Sequence, residues 1–255
     1  MILIPAGLFL SAVMAIAWWA QRRLRNAGWV DAFWTYGLGA AGVAVALAGG
    51  EGARRVIVAG LIAAWALRLG AHIVGRSRGA PEDSRYAHFR DVWGAGFERR
   101  MFAFLQIQAA AALLLLVPLL VAASAPGPLG WTDALAVAVA LVAFVGEGVA
   151  DRQLHAFRSD PRNHGKVCDA GLWGLSRHPN YFFEWLHWCA YPLFALSTGW
   201  AALALIGPAF MYWLLVHVSG IPPLEAQMLR SRGDAYRAYQ HRVRAFLPLP
   251  KGRTS

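Results

Sequence analysis

Four groups of ionisable side chains interrupt the apolar stretches of this 255-residue chain. Charge at such positions is costly, and where it is kept it is usually paired or functional. The densest group is Ser176-Arg177-His178-Pro179-Asn180-Tyr181-Phe182-Phe183-Glu184-Trp185-Leu186-His187-Trp188. Pro179 suits the first turn of a helix, and Asn180, Glu184 and His187 then share one face at offsets of four and seven. A stripe of Asn, Glu and His on an aromatic helix has no common structural purpose and reads as functional. Gly171, Gly174 and the turn before this helix allow close backbone approach, and a helix N-terminus attracts anions. The second group is Glu147 and Asp151, four apart, with His155 and Arg158 at matching helical offsets. Two acids on one face repel each other unless donors or cations meet them. The third group, Arg68, His72 and Arg76, can supply such cations from one helical face, which Trp65 extends by a turn. Arg76 can snorkel to the headgroups, whereas Arg68 lies two turns deeper and is expected to face the interior. The fourth group is Asp31 in Gly28-Trp29-Val30-Asp31-Ala32-Phe33-Trp34. An interfacial helix cap beside an aromatic belt and a functional acid are both open readings there.

Other chemistries lack their patterns. His155, His164, His178 and His187 form no HxxxH or HExxH spacing, so no metal site is expected. Cys168 and Cys189, the two cysteines, form no CxxC pair and have no base beside them, which argues against a disulfide scaffold and a thiol nucleophile. Neither GxGxxG nor GxxxxGK[ST] occurs, so a soluble dinucleotide or P-loop site is not expected.

The elements that must position these groups are membrane helices. Apolar residues make up 58% of the chain and charged residues 15%, against roughly 25% charged in a soluble domain. Mean hydropathy is +0.42, yet the net charge is +10, and 22 of the 24 cations are Arg, with Lys166 and Lys251 the exceptions. Arginine suits phosphate and carboxylate. Seven stretches approach the ~20 apolar residues needed to span a bilayer, at about 2–20, 31–49, 56–75, 101–123, 132–150, 181–197 and 199–218. The first is followed rather than preceded by its positive charges, so it reads as a retained helix and not a signal peptide. Alternate connections carry 21 of the 24 cations, while Arg54 and Arg55 lie on the opposite side and Arg68 within a span. By the positive-inside rule the N-terminus is outside and the tail, 219–255, is cytoplasmic. The expected fold is therefore all-α, a seven-transmembrane-helix bundle forming a single integral membrane domain over 1–255. The basic residues alternate with acids beside the spans, which argues against nucleic-acid binding. The expected partner is the lipid bilayer, with the protein a monomer.

Gly171-Leu172-Trp173 followed by Arg177-His178-Pro179-Asn180-Tyr181 and Glu184 resembles the C-terminal signature of the steroid 5α-reductase superfamily. Trp65-Ala66-Leu67-Arg68-Leu69, Arg76-Ser77-Arg78-Gly79 and Glu82-Asp83-Ser84-Arg85-Tyr86 are similar to its uncharacterised bacterial branch. So is Arg232-Gly233-Asp234-Ala235-Tyr236-Arg237-Ala238-Tyr239, leading to Arg242 and Phe246-Leu247-Pro248. The tail motif and the helix start are shared with the isoprenylcysteine carboxyl methyltransferases. The resemblance implies a bacterial inner-membrane enzyme that binds NADPH from the cytoplasmic side and transfers hydride to an activated carbon–carbon double bond of a lipophilic, steroid-like substrate.

Carried over by position, Glu147, Asp151, Arg158, Lys166 and Asn180 contact the dinucleotide, and Arg68, Arg76, Arg78 and Arg232 are candidates to hold its phosphates bidentately. Glu184 falls on the acidic position beside the nicotinamide. Asp31 falls near the acid that hydrogen-bonds the substrate carbonyl. Trp34, Trp65 and His187 are the candidate pocket lining. Hydride addition builds negative charge on the carbonyl oxygen, which a neutral acid or an oriented donor stabilises. An acid desolvated in an apolar bundle can stay protonated to do so. Three departures bear on the substrate more than on NADPH. The tyrosine paired with the acid aligns with Trp65, whose indole cannot give up a proton as a phenol can. Glu147 replaces an amide, and Phe183 stands where glycine is frequent. The alternatives are an S-adenosylmethionine-dependent methyltransferase and a non-enzymatic membrane protein.

Overall fold

The computed structural model describes residues 2–250, so Lys251 lies outside the described residues. In chain order the helices are α1 (Leu3–Leu24), α2 (Val30–Ala48), α3 (Ala53–Ser77), α4 (Ser84–Trp93), α5 (Phe97–Ala123), α6 (Trp131–Ser159), α7 (Pro179–Phe194), α8 (Ala201–Ala204), α9 (Ile206–Trp213), α10 (Ile221–Arg232) and α11 (Asp234–Arg242). No β-sheet forms among the described residues, where the pairing of Ser176 with Arg244 is an isolated bridge. The fold is all-α, as expected.

Among the described residues, six helical segments are long and apolar enough to cross a membrane: Leu3–Leu24, Ala27–Ala48, Ala53–Ser77, Arg85–Ala123, Trp131–Ser159 and Ala201–Arg232. The chain is a multi-pass membrane protein. The stretch expected as the sixth of seven spans is α7, only 16 residues long, with Pro192 inside it. It passes into a 3₁₀ turn at Ala195–Ser197. The following stretch is not one regular helix either, because α8 and α9 lead into a π-helical turn at Leu214–Val218. The connection 76–100 contains α4, and α6 continues past residue 150 to Ser159, which carries Asp151 and Arg158 on the same helix as Glu147.

Contacts cluster into two compact units, one comprising the chain up to Asp133 with Tyr191–Gly207, the other Ala134–Ala190 with the chain from Pro208 onward. In the first, α2 packs against α1, α3 and α5. Its buried face carries Gly37, Gly39, Ala41 and Gly42, and small residues let membrane helices approach closely. A Cβ at Gly39 would fall 2.2 Å from that of Ala66 on α3. The outward face is the reverse of a soluble protein's, with Ile4, Leu8, Ile16, Leu67 and Ile107 each more than half exposed, as contact with lipid favours. One end is held by Arg54, 5% exposed. Its guanidinium bonds both oxygens of Asp133 at 2.6 and 3.0 Å and the carbonyls of Ala125 and Pro128 at 2.5 and 3.0 Å. A buried charge is tolerated when its donors are satisfied in this way.

In the second unit, α6 and α7 meet at Gly146, where an added Cβ would lie 2.3 Å from the Phe183 ring. Phe183, which departs from the family pattern, fills the space that the missing side chain of Gly146 leaves. A tail cluster of Tyr236, Tyr239 and Val243 forms its own small core with Val167, Met228 and Leu229.

Candidate functional site

The chemistry-bearing residues fall into two groups, one in each unit. The first is centred on Asp31. Val30–Ala48 opens with this acid in its first turn, where a carboxylate is favoured by the helix dipole. Asp31 Oδ2 accepts from Arg85 at 2.5 Å and Oδ1 accepts from the Tyr86 hydroxyl at 2.8 Å. Arg85 also bonds both oxygens of Asp83 at 3.0 and 3.1 Å, and Arg76 approaches Asp83 at 3.8 Å. Asp83 caps α4 by accepting from the Arg85 backbone N–H, which puts Arg85 and Tyr86 in its first turn. Burial alone would raise the Asp83 carboxyl, but the Arg85 bonds outweigh it and hold it below the usual range. Glu82 is lowered in the same way against its burial, here by Arg90 and the Ala27 N–H.

Asp31 thus accepts from an arginine on one oxygen and from a phenol on the other. Tyr86 is 2% exposed and meets Phe89 edge-on. The motif containing Tyr86 is visible in the sequence, but nothing in the linear spacing joins it to an acid 55 positions earlier. Trp65, aligned with the family's tyrosine, is 2% exposed on α3. Trp34 gives its indole N–H to the Gln108 carbonyl at 3.0 Å. Arg68 is half-buried, while His72, Arg76 and Arg78 are exposed.

The second group lies on α6, α7 and the connection between them. Glu147, 5% exposed, and half-buried Asp151 follow one another on α6, with Arg158 exposed at its end. The turn at Gly171–Gly174 is tied to this helix by Gln153, which accepts from the Leu172 N–H, and by the Trp173 indole, which donates to the Ala150 carbonyl, each at 3.0 Å. On α7, Glu184 and His187 are 6% and 4% exposed, and Asn180 is half-buried. The stripe read from the sequence is therefore a buried face. Glu184 accepts from the Trp188 indole at 3.0 Å, and the Asn180 side-chain oxygen accepts from the Tyr181 N–H at 3.0 Å. Lys166 is exposed, and Arg232, at the end of α10, is half-buried. Among the described residues no group of three or more His, Cys, Asp or Glu is placed to hold a metal ion.

The start of α7 is held by the tail through a residue the sequence does not single out. Glu225 on α10 accepts from Arg177 Nε at 2.7 Å, from Gln240 at 2.8 Å and from the Tyr236 hydroxyl at 3.3 Å, with His178 Nε2 at 3.1 Å. Arg177 continues to the Val243 carbonyl at 2.6 Å, Tyr239 donates to the Trp173 carbonyl at 2.5 Å, and Ser176 donates to the Phe246 carbonyl at 2.8 Å. Burial lowers His178 from its ordinary 6.5, and Glu225 only partly offsets this.

The unfolded chain protonates His178 below pH 6.5, while the folded clamp resists that proton. The clamp's contribution is complete above pH 6.5 and falls with His178 as the pH drops below it. The thermal midpoint in detergent is expected to drop on acidification below pH 6.5, and His178→Gln is expected to remove that drop. A midpoint flat from pH 7.5 to 4 would exclude the clamp as a titrating unit.

A model of a family described as proteins of unknown function, DUF1295, matches residues 17–243. The chain belongs to the DUF1295 family. This is a family of the steroid 5α-reductase type. No curated protein and no solved structure matches this DUF1295 chain. The match takes in both groups and most of the tail clamp, so Asp31, Tyr86, Glu184 and Glu225 are all parts of the DUF1295 region.

Proposed function

We propose that the protein is a membrane-embedded oxidoreductase of the steroid 5α-reductase superfamily, which reduces an activated C=C bond of a lipophilic, enone-type substrate with NADPH. The observation that carries this reading is the Tyr86 hydroxyl held on Asp31 at 2.8 Å, with Arg85 on the other carboxylate oxygen. A phenol oriented by an ion-paired carboxylate is a donor whose O–H can turn to a carbonyl oxygen as charge develops there. In this reading Tyr86 polarises the carbonyl and supplies the proton, Asp31 orients the hydroxyl, and Arg85 holds the Asp31 carboxylate in place.

The donor set of the second group suits a dinucleotide. Glu147 and Asp151 are acceptors for ribose hydroxyls, Arg158 and Lys166 are cations for phosphate, and Asn180 and Glu184 offer polar atoms from α7. NADPH, when bound, supplies the hydride. Glu184 and the buried His187 keep the polar face of α7 oriented, and Phe183 against Gly146 narrows the space for a substrate. Arg232 completes the proposed phosphate-binding set of this unit, and Arg68, Arg76 and Arg78 are proposed phosphate ligands within the first unit, where Trp34 and Trp65 are assigned to the substrate.

We also place the protein in a bacterial inner membrane, with the N-terminus outside, seven spans and a cytoplasmic tail. The bias of 21 cations to alternate connections supports the orientation. Pro179 to Ser197, α7 with its 3₁₀ turn, extends about 30 Å and is long enough for the seventh span.

The test is a pair of titrations on the purified protein in detergent, read by tryptophan fluorescence. NADPH is expected to shift the emission and S-adenosylmethionine is not, and the Asp151→Asn variant is expected to weaken the NADPH response about tenfold. Binding of S-adenosylmethionine with indifference to NADPH would replace the reductase reading by the methyltransferase one.

A further inference from the structure

We infer that the end of α1 carries a binding site for a phospholipid headgroup, separate from both groups above. A cavity of about 470 Å³ is lined by Gln21, Arg22, Arg25, Glu82, Arg90 and Glu98. Its two carboxylates are already committed. Glu82 takes two bonds from Arg90 and one from the Ala27 N–H, and Glu98 takes the Gln21 amide at 3.0 Å and lies 3.4 Å from Arg22. Three features are left unused. Gln21 is 1% exposed, and its side-chain oxygen is buried with no hydrogen-bond partner, which costs free energy unless a donor arrives. Arg25 is exposed and has no ion pair or hydrogen bond from its side chain among the described residues. Arg25 is also the one non-glycine among the described residues with positive φ, at 51°. It sits at the end of α1, where glycine is the ordinary residue. Backbone strain kept for an arginine over a cavity suggests that the guanidinium is wanted there.

The ligand must therefore bring an anion to Arg25 and Arg22, and a hydroxyl or ammonium donor to Gln21. A phosphate ester with a donor on its alcohol has this pattern, as in phosphoglycerol and phosphoethanolamine headgroups. The position selects a membrane lipid over a soluble phosphate. The cavity opens at the end of a helix whose outer face exposes Ile16, Trp19 and Leu24, each more than half accessible. Trp18 and Trp19 lie at the same end, with Arg22 and Arg23 over their rings at 4.7 and 5.3 Å, as at a membrane interface.

Arg25→Gly is the informative variant, because the backbone conformation suits glycine and only the guanidinium is lost. Delipidated protein in detergent is offered phosphatidylglycerol or phosphatidylethanolamine, with binding read by native mass spectrometry and by the rise in melting temperature. Wild type is expected to retain one lipid and to melt higher with it. Arg25→Gly is expected to melt at or above wild type without lipid and to bind it about tenfold more weakly. Gln21→Leu, which removes the orphan acceptor, is expected to lose the same lipid-induced rise. Unchanged lipid binding in both variants would overturn the site. Glycerol phosphate binding as tightly as the lipid would overturn the assignment to a membrane lipid. NADPH titration of the same variants is expected to match wild type, so this outcome is independent of the reductase reading.

Discussion

Tyr86→Phe is expected to lower NADPH-dependent turnover of a lipophilic enone about a hundredfold or more, with NADPH affinity essentially unchanged. The variant deletes one oxygen from a residue that is 2% exposed and keeps the ring against Phe89. Asp31 retains Arg85 at 2.5 Å, so the carboxylate is not stranded and the helix start stays intact. The stability loss should be that of a single hydrogen bond, about 1 kcal/mol. A large loss in turnover beside a small loss in stability separates a proton donor from a structural tyrosine. Asp31→Asn adds a second check, since an amide can still accept from Tyr86 but leaves Arg85 with Asp83 alone as its ion-pair partner. Turnover is expected to fall less than in Tyr86→Phe. Turnover unaffected by removal of the hydroxyl would assign the proton to another group and leave the Asp31–Tyr86 bond a structural role.

The second large effect concerns stability. Glu225→Ala removes the common acceptor of Arg177, His178, Tyr236 and Gln240. The Arg177 side chain is 10% exposed and that of Glu225 15%. Breaking such a pair strands the remaining charge, at a cost of about 3 kcal/mol. Glu225→Gln keeps an acceptor of the same shape and should cost less. Cys168, 8% exposed beside the tail core, reports on the opening, because its neighbour Val167 packs against Tyr236, Tyr239 and Val243. Burial also raises its thiol above the ordinary value, so it should alkylate slowly in the intact protein. In a Cys189→Ser background, Glu225→Ala is expected to speed labelling of Cys168 and to lower the thermal midpoint. Equal labelling in both proteins would show that the tail does not hold the start of α7.

These two residues mark where the sequence stops being informative. Asn180, Glu184 and His187 are recognisable as one buried face because helical periodicity relates residues within one element. Glu147 and Asp151 are legible in the same way, down to their placement one turn apart on a helix. The run lengths of apolar residues and the sidedness of arginine set the all-helical membrane class, since a bilayer admits few other solutions. The count of spans was less legible. Pro192 and the 3₁₀ turn after Phe194 shorten α7, and a π-helical turn interrupts the segment after α9, where hydropathy registers only an apolar run.

The pairings that give the site its chemistry lie beyond any such rule. Tyr86 meets an acid 55 positions away, and Arg177 meets one 48 positions away. The sequence alone determined which residue types are available, which share a helix face and which stretches are apolar enough for lipid. The tertiary structure decided that the phenol beside Asp31 is Tyr86, that Asp31 is ion-paired, and that Glu225 gathers the start of α7. Periodicity constrains a side chain only relative to its own helix axis, whereas which donor reaches which acceptor depends on the rotation and offset of separate helices and on the turns that join them.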